Sequence, residues 1–215
     1  MSKKIVLEDC KRCRRLHNHL QNIKLKYPDY FCKPVPAFGD VNARLLIVGL
    51  APGLHGANAS GIPFTGDASG EFLFKTLHQY SFASHADSNI GADLKLFNCR
   101  ITNAVKCLPP QNKPTSKEAQ VCAKNYLQDE LDQLESGSII LALGSLAHNA
   151  VLRSFGKKLS SAKFGHNACH EINDELFLLD SYHCSRYNTQ TKRLTQEMFD
   201  EVFNTVQALL LQSKP

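Results

Sequence analysis

Ala43-Arg-Leu-Leu-Ile-Val-Gly49 is a short apolar run closed by a glycine, the pattern of a strand buried on both faces. The pattern returns at Ile101-Thr-Asn-Ala-Val105, Ser138-Ile-Ile-Leu-Ala-Leu-Gly144 and Glu175-Leu-Phe-Leu-Leu-Asp180. Helical periodicity fills the intervals. From Ser69 to Tyr80, the side chains of Phe72, Leu73, Leu77 and Tyr80 fall on one face. Thr115-Ser-Lys-Glu118, behind Pro114, is a capping box that opens a helix to about Glu135. Ser145 to Phe155 and Thr195 to about Gln212 complete the set. Strands alternating with helices, the strands continuously apolar, predict an α/β fold: a three-layer sandwich around a central, mainly parallel four-stranded sheet.

The 215 residues suit one domain, residues 1–215, large enough to bury a core without covalent staples. Residues 1–40, with Pro34 and Pro36, read as a helical segment that needs tethering. No apolar run approaches the ~18 residues that span a bilayer, so no membrane partner is expected. The opening Met-Ser-Lys-Lys-Ile-Val-Leu turns acidic at Glu8-Asp9, too soon for a secretory signal, and a cytoplasmic monomer is expected. Lys and Arg number 25 against 20 Asp and Glu, a net charge of +5. Residues 1–50 hold ten of the former and four of the latter, so the surplus lies in the N-terminal part. A basic segment suits a phosphate-bearing partner such as nucleic acid; a solvated helix face would give the same count.

In open parallel sheets the ligand site lies beyond the carboxyl ends of the strands. Four loops qualify: Leu50 to Asp67, Lys106 to Pro114, Gly144-Ser145, and Ser181 to Arg193. The least ordinary composition of the chain falls there: glycines, prolines, amides, two histidines and one aspartate. No phosphate-binding Gly-x-x-x-x-Gly-Lys-Ser/Thr loop and no Gly-x-Ser-x-Gly elbow occurs, so nucleotide hydrolysis and acyl transfer lack their usual signals. Asp67 is an acid for chemistry or simply the N-cap of the helix that follows. Asn103, Asn112 and Asn188 carry the paired donor and acceptor that read a nucleobase edge, although Asn is also a common turn residue. His183 can donate to a developing anion or be a satisfied buried histidine. Phe64, between Pro63 and Thr65 in a glycine-rich loop, suits base stacking better than core packing.

Eight cysteines in an intracellular chain point to metal or redox chemistry before disulfides. Cys10-Lys-Arg-Cys13 is the one C-x-x-C pair, and Cys107 and Cys122 are the candidates to complete a four-thiolate site. Spacing does not separate zinc from iron–sulfur. Cys32, Cys99 and Cys169 read as small buried residues.

Gly49-Leu-Ala-Pro-Gly-Leu-His-Gly-Ala-Asn58, Pro63-Phe-Thr-Gly-Asp-Ala-Ser-Gly70, Asn103-Ala-Val-Lys-Cys-Leu-Pro-Pro-Gln-Asn-Lys-Pro-Thr115 and Tyr182-His-Cys-Ser-Arg-Tyr-Asn-Thr-Gln-Thr-Lys-Arg-Leu-Thr195 resemble, in this order, the four motifs of the family-5 uracil-DNA glycosylases. The related family-4 enzymes typically carry an acid where Leu50 stands here. The resemblance runs from Cys10 to about Phe199 and implies a monofunctional glycosylase that flips uracil out of DNA, double-stranded and in some cases single-stranded, and hydrolyses its N-glycosidic bond in base excision repair. Hypoxanthine, xanthine and oxidised bases are further substrates of that family. It implies a 4Fe–4S cluster on Cys10, Cys13, Cys107 and Cys122, tethering the N-terminal segment. It implies catalytic roles for Asp67, Asn112 and His183, and base contacts from Ala51, Gly53, His55, Phe64, Asn103 and Asn188. Ser145, Arg186 and Tyr187 match positions that touch DNA. Cys184 departs from the proline frequent after the motif histidine, and Ala59 from a frequent arginine. Two alternatives remain at this point: an iron–sulfur module that binds damaged DNA without chemistry, and an electron carrier. Asp67, Asn112 and His183 beside one cleft would speak against the first, and the absence of a reversible redox couple against the second.

Overall fold

The computed structural model describes residues 6–89, 93–173 and 176–212. Its strands are β1 (Phe38–Gly39), β2 (Leu45–Gly49), β3 (Cys99–Asn103), β4 (Ser138–Leu143), β5 (Cys169–Asn173) and β6 (Leu176–Ser181), arranged β1-β3-β2-β4-β6-β5. The four expected apolar runs form the central parallel strands β3, β2, β4 and β6; Glu175, expected to open the last of them, lies outside the described residues. The sheet nevertheless has six strands, not four. β1 pairs antiparallel with β3, and β5 antiparallel with β6. Both additions are edge strands without a continuous apolar run: β1 is two residues long, and of Cys-His-Glu-Ile-Asn in β5 only Ile172 is buried.

The helices are α1 (Arg14–Lys26), α2 (Ala57–Ser60), α3 (Ala68–Gln79), α4 (Ser116–Cys122), α5 (Gln128–Leu131), α6 (Ser145–Ser154), α7 (Arg186–Gln190) and α8 (Gln196–Gln212). The capping box at the start of α4 is present: Thr115 accepts from the Glu118 backbone N–H at 3.2 Å, and the Glu118 carboxylate from the Thr115 N–H at 2.8 Å. The same carboxylate receives Arg15 of α1 at 2.6 and 2.9 Å, so one acid both starts α4 and fastens the N-terminal helix to it. The expected single helix to Glu135 is interrupted by a π-turn at Ala123–Leu127 and ends at Leu131.

Alternation along β2 divides the core. Leu45 and Ile47 face Leu73, Phe74 and Leu77 of α3 and Phe199, Phe203 and Val206 of α8. Leu46 and Val48 face Leu127 and, on α6, Ala147 and Val151. Each such large side chain contributes about 1.5–3 kcal/mol when fully buried. The three layers follow, with every residue of β2 and β4 buried. No helix among the described residues is long and apolar enough to cross a membrane.

Candidate active site

The loops beyond the carboxyl ends of β2, β3, β4 and β6 gather over one rim of the sheet. Ala51, Gly53, Phe64, Asp67, Asn103, Asn112 and His183 line a single cleft there. A wider groove continues from it, sharing Ala51, Asn112 and His183 and adding Ser145 and Asn188. Most of the base-contacting and catalytic positions expected from the sequence therefore meet in one place.

Asp67 caps a helix and lines the cleft at once. It is the N-cap of α3, its Oδ1 accepting from the backbone N–H groups of Ser69 and Gly70 at 3.0 Å each. With one oxygen held, the carboxylate cannot swing away, and its Oδ2 lies against Gly56, where an added Cβ would stand 2.4 Å from it. A charge at a helix N-terminus is favoured by the N–H groups and the helix dipole. The cap thus orients the carboxyl group at the wall of the cleft.

Phe64 corrects the sequence expectation in part. It lines the cleft, but it is also buried, 7% exposed, in the α3–α8 side of the core. Its backbone sits at φ +57°, a strained region for an aromatic residue. Its carbonyl drops onto α3 at Gly70, where an added Cβ would lie 1.9 Å from the oxygen. Gly70→Ala is therefore expected to destabilise the protein by about 1–3 kcal/mol through overpacking against rigid backbone, read from the denaturant midpoint. An unchanged midpoint would show that the Phe64 turn yields freely.

Across the cleft, the His183 ring lies 6.0 Å from the Phe64 ring, tilted by 30°. Burial holds the His183 pKa below the ordinary histidine value, although the Asp67 charge opposes the shift. Its ring is thus uncharged at neutral pH, with one nitrogen a donor and the other an acceptor. Asn103, at the end of β3, is 3% exposed, and its Oδ1 is buried with no hydrogen-bond partner. An unsatisfied buried acceptor costs about 1–3 kcal/mol, so a ligand donor at this point is the simplest account. Asn112 is exposed at the cleft margin in a left-handed turn, φ +56°.

Other expected residues fall elsewhere or do other work. His55 is exposed and outside the cleft lining; Tyr30 Oη lies 2.8 Å from its Nδ1, and Tyr27 packs edge-on to its ring. Asn188 donates through Nδ2 to the His183 carbonyl at 2.8 Å, which holds the His183 loop. Arg186 and Tyr187 open α7 and are exposed, Tyr187 by 71%. Cys184 is fully buried and bonds the Ser69 carbonyl at 3.4 Å, a sulfur contact tying the loop to α3. Leu146, Phe164, Tyr182 and Arg193 line the groove without having been singled out in the sequence. Tyr182 and Arg193 lay inside a motif; Phe164 had no local signal.

A second cavity lies on the α4 side. Cys10, Cys13, Cys107 and Cys122 all line it, together with Lys106 and Tyr126. Burial pushes up the thiols of Cys107 and Cys122, the latter to about 11, and the neighbouring sulfurs add mutual repulsion. The Lys106 backbone N–H donates to Cys122 Sγ at 3.2 Å, the kind of bond that steadies a thiolate ligand. Four thiols lining one cavity, Cys122 buried and the others partly so, repel one another as thiolates and are suited to a cationic centre. Around one zinc ion, with Zn–S of about 2.3 Å, sulfurs stand roughly 3.8 Å apart. Among the described residues, the set of three or more ligand atoms within 4.8 Å of one another is His148, His170 and Asp180, so no three of these sulfurs draw that close. Of the remaining cysteines, Cys32 and Cys99 are buried as expected, while Cys169 is exposed, because it sits on edge strand β5.

Residues 36–207 match the protein family described as the uracil DNA glycosylase superfamily. The chain is 44% identical over 201 residues to a type-5 uracil-DNA glycosylase of Thermus thermophilus, covering 91% of each chain. It is 39% identical over 209 residues to a type-5 uracil-DNA glycosylase of Pyrobaculum aerophilum, covering 94% of this chain and 89% of that one. A type-4 uracil-DNA glycosylase of Pyrobaculum aerophilum is 31% identical over 147 residues, 67% of each chain.

Proposed function

Because the chain belongs to the uracil DNA glycosylase superfamily, we infer that it excises uracil from DNA as a type-5 member, by hydrolysis of the N-glycosidic bond. The observation that carries the mechanism is the meeting of Asp67, Phe64, Asn103 and His183 in one cleft, with the Asn103 acceptor buried and unpartnered. The target nucleotide leaves the helix at a cost of a few kcal/mol, least when it is mispaired. Its base rests on Phe64, and Asn103 Oδ1 accepts from the base edge. As the bond breaks, negative charge gathers on the base and positive charge on the sugar. Neutral His183 donates to the base, and the fixed carboxylate of Asp67 faces the sugar cation and orients water. Asn112, at the margin, takes part in holding base or water. One well-placed donor is worth about 2.7–4 kcal/mol in such a step.

A non-catalytic damage-binding module has no use for an acid, a neutral histidine and a buried amide in the same cleft. Hypoxanthine, xanthine and oxidised bases are further substrates we propose, since the Asn103 carboxamide can turn either edge toward a base. Ser145, at the groove, and the exposed Arg186 and Tyr187 at the start of α7 are the residues we propose to touch the DNA. Double-stranded DNA is the proposed substrate form, with single strands also admitted, acted on by a monomer in the cytoplasm.

Cys10, Cys13, Cys107 and Cys122 would hold a 4Fe–4S cluster. In that place it supplies a structural tie between the N-terminal segment and the loop after β3. Val35 N–H to the Lys106 carbonyl, at 2.7 Å, and Arg15 to Glu118 join the same two regions.

The reaction is tested with a labelled duplex carrying uracil opposite guanine, followed by alkaline cleavage of abasic sites. A product band only after alkali is expected; no band from brown, folded protein would favour the binding module. The pH profile follows from His183. Its lowered pKa means that the unfolded chain takes up the proton first on acidification, so this group lowers stability as pH falls below the ordinary histidine range. The excision rate is expected to be flat between about pH 7 and 8, where the ring is already neutral, and to be lower by roughly a hundredfold or more across that range in His183→Gln. A wild-type rate that titrates within that range, with the step lost in His183→Gln, would remove the neutral-donor role.

A further inference from the structure

The groove that continues from the cleft has a volume of about 360 Å³, and its far wall of Phe164, Tyr182 and Leu146 takes part in no step above. That is within the roughly 300–1,000 Å³ of small-molecule sites. Its character is unlike a track for a phosphate backbone, which requires a row of cations. Here the walls are Phe164, Tyr182 and Leu146, with Arg193 the single cation among the groove-lining residues. The Arg193 guanidinium lies over the Tyr182 ring, 5.0 Å from its centroid, and the rings of Phe164 and Tyr182 are 6.2 Å apart. Leu146 is 56% exposed at the edge.

The aromatic wall is held by groups that the chemistry does not use. Beneath Phe164, His148 and Asp180 form a buried pair, Nδ1 to Oδ1 at 2.7 Å. The other His148 nitrogen faces the Ala162 carbonyl at 3.1 Å. Both nitrogens therefore face oxygen atoms, which fixes the plane of the ring. Asp180 also binds the segment that presents Phe164: its Oδ2 accepts from Gly165 N–H, its carbonyl from Asn167 N–H, and its own N–H donates to the Ala168 carbonyl. His166 stacks on Tyr182 at 4.9 Å, accepts from its N–H and donates to the Met198 carbonyl. Segment 162–168 and the β6 end that leads to His183 are locked together.

We propose that this groove is a second nucleobase subsite, which takes the unexcised base adjoining the target on the same strand by stacking on Phe164. The proposal rests on the excision reading above. An aromatic face accepts any base, while Tyr182, covered by His166 and Arg193, forms the side wall and holds the guanidinium beside the base. The groove shares Ala51, Asn112 and His183 with the cleft, so its occupant lies within one nucleotide of the flipped base. The same-strand neighbour is drawn that way by the backbone of the extruded nucleotide, whereas a base of the opposite strand would have to cross the duplex.

The test uses single-stranded oligonucleotides with one uracil, in which the base immediately 5′ or 3′ of it is replaced by an abasic spacer. For the wild-type protein, removing the base on one side is expected to raise KM roughly ten- to hundredfold, with kcat nearly unchanged. Phe164→Leu, which keeps apolar packing without a π-face, should bind the intact strand as poorly and lose the dependence on the neighbour; Phe164→Tyr should restore both. Thermal melting of each variant, matched to wild type, separates this from misfolding; where Phe164→Leu melts early, the wild-type spacer series and Phe164→Tyr still decide. Equal KM for all spacers in the wild type, or an unchanged neighbour dependence in Phe164→Leu, overturns the subsite while leaving excision intact. No excision by wild type from the unmodified strand, alone or annealed to its complement, overturns the reading beneath it, and the subsite with it; where only the duplex is cut, the same spacer series in the duplex decides.

Discussion

Asp67→Ala is expected to lower single-turnover excision of uracil about a thousand-fold, the largest effect of any single side chain in the cleft. Two losses are combined in that variant. The cap of α3 disappears, at about 1 kcal/mol of stability, and the oriented negative charge disappears with it. Asp67→Asn separates them. Its carbonyl oxygen can still accept from Ser69 and Gly70, so the melting point should stay close to wild type, while the rate should fall nearly as far as in the alanine variant. A rate for Asp67→Asn within tenfold of wild type would reduce Asp67 to a cap and transfer the burden of activating water to Asn112 or to the substrate itself. Leu50 sharpens this expectation, because no acid stands at that position to share the work.

Loss of a cluster ligand is expected to act on folding before it acts on rate. Cys107→Ser should give colourless protein, destabilised by roughly 2–5 kcal/mol, the range for losing a native cross-link in a small domain. Limited proteolysis should then cut within residues 6–35, which depend on Cys10, Cys13 and Arg15 for their attachment to the rest. Cys169→Ser, altering an exposed cysteine on an edge strand, is the matched control and should change neither colour nor melting point. Full stability and an intact N-terminal segment in colourless Cys107→Ser would assign the tether to the Arg15–Glu118 pair alone.

The four central strands were legible because a strand covered on both faces must be apolar throughout, and no other element in the chain reads that way. The edge strands were not, since β5 needs only one buried side chain, Ile172, to join the sheet. The residues themselves suggested Cys10, Cys13, Cys107 and Cys122 as a four-thiolate set, and only the resemblance implied iron–sulfur over zinc; their common cavity is a tertiary fact. At Asp67, chemistry and capping looked like rivals in the sequence, yet one oxygen caps while the other meets the glycine-lined wall. Phe64 was assigned away from the core because its neighbours are turn formers, and the packing of its strained turn on Gly70 could not be seen locally. His55 shows the converse. It sits in a motif, but Tyr27 and Tyr30, far back in the chain, decide where its ring goes. Phe164 owes its place to a histidine and an aspartate 16 residues away on either side, His148 and Asp180, and no local pattern announces that.

The rim arrangement has an evolutionary consequence. The parallel strands β2 and β4 are sealed on both faces, and the proposed contacts to the target base stand at the carboxyl ends of β2, β3 and β6 or on the loops beyond them. Substitutions at Ala51, Asn112 or Phe164 can therefore retune which lesion is preferred at little expense to the scaffold. Lineages that share this sheet can diverge in appetite for damaged bases while remaining recognisably the same machine.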